Sequence, residues 1–128
     1  MIAVALVLAA IAALLHVFIF FLESIAWTGE RARQTFGTTP EEAAATRELA
    51  FNQGFYNLFL AVVTIVGIIL TAAGQREAGA ALVFAGVGSM AAAALVLLTT
   101  SPDKRAAALK QGTVPLLAVI ALVIGLAL

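Results

Sequence analysis

Ile2–Leu22 is a run of 21 residues in which His16 is the only polar side chain. As a helix it extends roughly 30 Å, the thickness of a bilayer core. Ala78–Leu98 is a second such run, 21 residues without a charge. Between them the stretch from Ala50 to Ala73 is apolar apart from hydroxyl and amide side chains, and Thr113–Leu128 adds a fourth apolar run of 16 residues. A chain with four such runs can satisfy its backbone in lipid only as helices or as a closed barrel, and no alternating barrel pattern is present. Composition agrees. Charged residues make up 11% of the chain, against about 25% in a soluble domain.

The expectation is an all-α membrane protein: one domain, residues 1–128, folded as an antiparallel up-down bundle of four transmembrane helices at about 2–27, 48–73, 78–99 and 106–128. A signal peptide is the competing reading of the first run, since Ser24-Ile25-Ala26 has the small residues of a cleavage site. No positive charge precedes the run, and it exceeds the usual ~7–15-residue apolar segment. A retained helix ending near Trp27 is therefore expected. Net charge is zero, which removes the electrostatic case for nucleic acid, and there is no cysteine for disulfides, thiolate chemistry or soft-metal ligation.

The connections carry their own signals. Thr28–Thr38 is polar, of mixed charge, and punctuated by Gly29 and Gly37. Thr39-Pro40-Glu41-Glu42 predicts a helix start with Thr39 as N-cap, Pro40 at the first position and Glu42 closing a capping box. That helix either runs on into the second span or breaks near Arg47. Ser101-Pro102 predicts another capped start. The fourth run covers only roughly 24 Å. Either the bilayer thins there, or the helix starts earlier and carries Lys110–Gly112 into the membrane. Arg31, Arg33, Arg47, Lys104, Arg105 and Lys110 lie in the first and third connections, and Arg76 alone in the second. This bias places loops 28–47 and 100–110 in the cytoplasm and both termini outside the inner (plasma) membrane.

Polar groups inside spans are costly and mark function or helix contacts. Here they converge on the cytoplasmic half. His16 and Glu23 are seven apart, within about 20° on one helix face and about 10 Å along its axis. In the second span Gln53, Asn57 and Thr64 fall within about 40°, with Asn52 and Tyr56 to one side. Lys110 and Gln111 precede the fourth. The expected partners are Lys110, or Asn52 and Gln53, for Glu23, and Asn57 or water for His16. Plainer roles exist for each: a hydrogen-bonded core histidine, a snorkelling carboxylate, amides that join helices at about 0.5–2 kcal/mol each, and an interfacial lysine anchor. Ala81, Ala85, Ser89 and Ala93 form a small-residue stripe on the third span. It suits close packing within the monomer, or alternatively a homo-oligomer seam. One histidine with a glutamate two turns away is not a metal-ligand set, and no dinucleotide or phosphate-loop motif is present, so neither metal nor cofactor is expected.

His16 with Glu23 and Trp27, Arg33-x-x-Phe36-Gly37, Asn52-Gln53-Gly54-x-Tyr56-Asn57 and Lys110-Gln111-Gly112-x-x-Pro115 together resemble the DUF1304 family, small bacterial and fungal membrane proteins of unknown function. The resemblance runs from about residue 10 to residue 120, is most specific at Asn52–Asn57, and is weakest in the third span. It implies a four-span inner-membrane protein, and no activity, substrate or cofactor. It also implies that Lys110-Gln111-Gly112 belongs to the site.

Three functions fit these residues. The leading expectation is a small-molecule pocket among spans one, two and four, open to the cytoplasm and serving binding or transport of a polar or amphipathic compound. His16, Glu23, Asn52, Gln53, Asn57, Lys110 and Gln111 would line it, with Trp27, Tyr56 and Phe20 as walls. The second is a membrane-embedded enzyme using His16 or Glu23 as acid/base on a lipid-like substrate. The third is a structural or assembly partner in the lipid bilayer, with the polar groups serving only to join helices.

Overall fold

The computed structural model describes all 128 residues. The chain is six α-helices: α1 Ile2–Phe20, α2 Glu30–Phe36, α3 Pro40–Ala45, α4 Arg47–Ala72, α5 Arg76–Thr100 and α6 Arg105–Ala127. Four segments are long and apolar enough to cross a membrane: Ile2–Ile25, Arg47–Ala72, Arg76–Thr100 and Pro102–Ala127. These spans form an antiparallel ring. Each packs on its neighbours in sequence, and α6 closes back on α1.

The outer surface shows why the ring belongs in lipid. On the first span Val4, Val7, Ile11, Leu14, Phe18, Phe21 and Ile25 are all exposed, at steps of three and four residues. This is an unbroken apolar stripe that water would not tolerate. The opposite face, Ala5, Ala9, Ala12, His16, Ile19 and Glu23, is buried. Its alanines pack with Ala118, Ala121 and Leu122 of α6 and with Val83, Val87 and Met90 of α5. Lipid tails are as apolar as the side chains, so close packing of small residues holds spans together better than bulk does. The same device joins α4 to α5. A Cβ on Gly67 would lie 2.6 Å from the Val83 nitrogen and 2.8 Å from the Gly79 carbonyl oxygen, so the two backbones touch.

Several local expectations change. The first span does not stay α-helical to Trp27. Phe21–Ile25 is a π turn, in which the Ala26 N–H reaches the Phe21 carbonyl five residues back. Between Gly29 and Gly37 the polar stretch folds as α2, whose Ala32 and Phe36 bury against Ile19, Leu22 and Ala107. The capping box at α3 is present: the Glu42 N–H donates to Thr39 Oγ1 at 3.1 Å, and the Thr39 N–H to Glu42 Oε2 at 2.9 Å. The chain breaks at Thr46, between α3 and α4. Ser101 makes no side-chain cap, contrary to the sequence signal. A 3-10 turn over Pro102–Lys104 leads into α6, which begins before Lys110. Of the two explanations for the short fourth run, the early start holds.

The small-residue stripe is also corrected. Ala81, Ala85, Ser89 and Ala93 are exposed, so they do not pack the monomer. Gly79, Val83, Gly86, Val87 and Met90 do that, on the neighbouring face.

Candidate functional site

At the end of the bundle that carries α2 and α3, the ring borders an open-sided cavity of about 910 Å³. It is sized for a small organic molecule. Its position follows from the packing. Toward the opposite end α4 and α5 meet backbone to backbone. Toward this end Leu49, Gln53, Asn57 and Leu60 of α4 and Met90, Ala93, Leu97 and Thr100 of α5 line a common space. Those steps of three and four residues set one face of each helix against the cavity. The fold therefore makes α5 a wall, where the sequence predicts spans one, two and four alone.

The deepest polar groups come from α1 and its π turn. Glu23 is 8% exposed and His16 2%. Asn57 Nδ2 donates to Glu23 Oε2 at 2.8 Å. The geometry behind this bond lies one residue away on the π turn and three residues away on α4. Gly54 sits directly against Ser24, and a Cβ there would be 3.0 Å from the Ser24 nitrogen. Ser24 Oγ in turn donates to the Phe51 carbonyl at 2.7 Å. Gly54 thus brings α4 against the π turn, and Asn57, three residues on, reaches the carboxyl. The expected partners of Glu23, namely Lys110, Asn52 and Gln53, do not bond it.

His16 also differs from expectation. Its Nδ1 bonds the Ala12 carbonyl at 2.9 Å, not Asn57. A carbonyl only accepts, so Nδ1 carries the proton. In the neutral ring Nε2 is then an acceptor. Thus the ring is oriented by its own helix while lining the cavity.

Asn52, Gln53, Tyr56, Trp27 and Gln111 join His16, Glu23 and Asn57 in the cavity wall. Trp27 is held by its Nε1–H, which donates to Thr46 Oγ1 at 3.1 Å, and by Phe36, with ring centroids 5.3 Å apart. Two predicted residues fall elsewhere. Phe20 packs edge-on against Phe55, with centroids 5.1 Å apart, and does not border the cavity. Lys110 is exposed and outside the wall. The cavity lysine is Lys104, whose Nζ donates to the Phe36 carbonyl at 2.6 Å and the Gly37 carbonyl at 3.2 Å. The signal was available: Lys104 and Gln111 are seven apart and share a face, as do His16 and Glu23, whereas Lys110 is a full helical step from Gln111. Thr38 was missed as well. Its Oγ1 is buried without a hydrogen-bond partner beside the cavity. No group of three or more His, Asp or Glu side chains is placed to hold a metal ion.

The sequence profile of a family described as protein of unknown function (DUF1304) matches residues 10–123. The chain belongs to the DUF1304 family. The matched region reaches into all four spans and takes in the whole cavity wall, so the cavity of this DUF1304 protein lies within the family's domain. No curated protein and no solved structure matches the chain.

Proposed function

We propose that this DUF1304 protein binds a small polar or amphipathic molecule in the cavity, on the cytoplasmic side of the plasma membrane. One observation carries this reading. His16, Glu23 and Asn57, the costliest groups to bury in the spans, border one cavity of ligand size together with Asn52, Gln53 and Gln111. Polar groups that served only to join helices would be used up between helices, with no common space beside them. The basic bias of the first and third connections supports the cytoplasmic placement, with both termini outside. A contact between copies of the chain would use the outward end of the small-residue stripe, Ala81, Ala85 and Ser89, away from Ala93 at the cavity.

The test is native mass spectrometry of the detergent-purified protein, paired with a thermal-shift screen of small polar and amphipathic compounds. A co-purifying mass or a stabilising compound is expected, weakened in Glu23→Gln. No bound mass and no stabilising compound would sink the proposal and favour a structural role, under which Asn57→Leu alters stability or assembly alone. Transport predicts flux through reconstituted vesicles that loses proton coupling in Glu23→Gln. Catalysis predicts that the same variant binds and does not turn over.

A further inference from the structure

The cavity has a charge and a mouth, and together they select a ligand class. Three carboxyl groups border it, Glu23, Glu42 and Asp103, against the single ammonium of Lys104. The outer two are exposed: Glu42 Oε2 accepts the Thr39 N–H, and Asp103 is 76% exposed, 3.9 Å from Lys104. Lys104 is itself spent on the carbonyls of Phe36 and Gly37. Glu23 is different: it lies deep, its one hydrogen bond comes from a neutral amide, and no arginine or free lysine borders the cavity. The neutral His16 ring adds a second acceptor. Trp27, Phe36 and Tyr56 supply aromatic surface, which attracts cations. Such a lining favours a cation with N–H donors and disfavours carboxylates, sulfates and phosphates.

The mouth lies between α4 and α5. Leu49 and Tyr56 on one lip and Val96 on the other are 71%, 64% and 61% exposed while bordering the cavity. Ala93 and Thr100 on the second lip are exposed too. From Thr100 to Ala93 the lip extends roughly 10 Å along α5. Both lips belong to segments that can span the membrane. This part of the opening faces sideways from the spans, with Asn52 and Gln53 also exposed on the α4 lip, while exposed Glu42 and Asp103 mark a second opening at the loop end; Leu60, Met90 and Leu97 continue the apolar lining inward.

Resting on the binding function proposed above, we infer that the ligand is a cationic amphiphile: an amine with an apolar body and no anionic group, which enters from the bilayer between α4 and α5 and sets its ammonium against Glu23. Its N–H donors take the carboxyl of Glu23. Its body lies along Leu60, Met90 and Leu97.

Trp27 is the only tryptophan in the chain and borders the cavity, so its fluorescence reports binding directly. The protein in phosphatidylcholine nanodiscs is titrated with dodecylamine, dodecanol, dodecanoate and propylamine. Dodecylamine is expected to give a saturable change, with the other three at least about tenfold weaker, the size of one lost charge-assisted hydrogen bond or more. Glu23→Gln should bring dodecylamine to the level of dodecanol. Ala93→Phe, at an exposed lip position, should weaken dodecylamine at least about tenfold with the melting temperature unchanged, and it serves where Glu23→Gln does not fold. Saturable binding of dodecanol or dodecanoate as tight as that of dodecylamine overturns the inference and leaves the binding function standing. A change with none of the four, joined to an empty cavity by mass spectrometry, overturns both. Propylamine binding as well as dodecylamine, or Ala93→Phe without effect, overturns the lateral entry of an amphiphile.

Discussion

At the scale of single residues, the contact between Glu23 and Asn57 ties the first two spans at the floor of the cavity. A hydrogen bond to a charged group contributes about 1.5–3 kcal/mol in soluble proteins, yet interhelical bonds in bilayers average nearer 0.6 kcal/mol. The lower figure governs stability here, because the unfolded span in lipid finds other partners. Asn57→Leu is therefore expected to cost about 1 kcal/mol or less in denaturant unfolding from mixed micelles, while ligand-dependent stabilisation falls far more. A loss well above 3 kcal/mol would mean that the amide chiefly holds the helices together. The polar residues themselves were legible in the sequence, since an acid, a histidine and three amides stand out in apolar runs. Their pairing was not. Glu23 meets Asn57 because a π turn and a glycine contact set the register, and neither is visible in residue spacing; His16 instead bonds the Ala12 carbonyl of its own helix.

At the scale of elements, the Asn52–Asn57 motif has its glycine for a reason of distance. Gly54 lies against Ser24, and an added methyl group would displace Ser24 or push α4 away from the π turn. Gly54→Ala is expected to destabilise by about 1–3 kcal/mol, the usual cost of overpacking. Adding Ser24→Gly clears the Oγ and Cβ in the way, so the double variant should recover part of that loss in the same unfolding assay. Additive losses would show that Gly54 serves something other than this approach. The connection above the cavity depends on Lys104 in a similar way. Its ammonium accepts nothing and donates to two carbonyls where α2 ends, satisfying groups a helix terminus leaves open. Lys104→Met should speed backbone hydrogen exchange over residues 33–38 at least about tenfold, with exchange in α5 unchanged. Helix starts governed by local chemistry, such as the capping box at Thr39, were readable from sequence. α2 was not, because seven residues between two glycines, five of them polar, carry little periodic signal, and its helical form depends on burying Ala32 and Phe36 against α1 and α6.

At the scale of the whole molecule, four long apolar runs were enough to specify a ring of antiparallel spans, since bilayer thickness and backbone satisfaction leave few alternatives. The cavity was only half legible: its polar floor was written in the runs, but its α5 wall is built from Met90, Ala93 and Leu97, which look like any lipid-facing residues. Orientation is the remaining global property, and it has a physical basis in charge. Six of the seven basic side chains lie at the end of the bundle that opens the cavity, on the first and third connections. Such residues resist translocation, so that end should stay in the cytoplasm. The natural absence of cysteine makes this testable without background. Gln75 and Glu41 are both exposed, at opposite ends of α4. With a membrane-impermeant thiol reagent, Gln75→Cys should label in intact cells and Glu41→Cys only after lysis. The reverse pattern would place the cavity end outside, and with it the supply of ligand, while leaving the lateral mouth between α4 and α5 where it is.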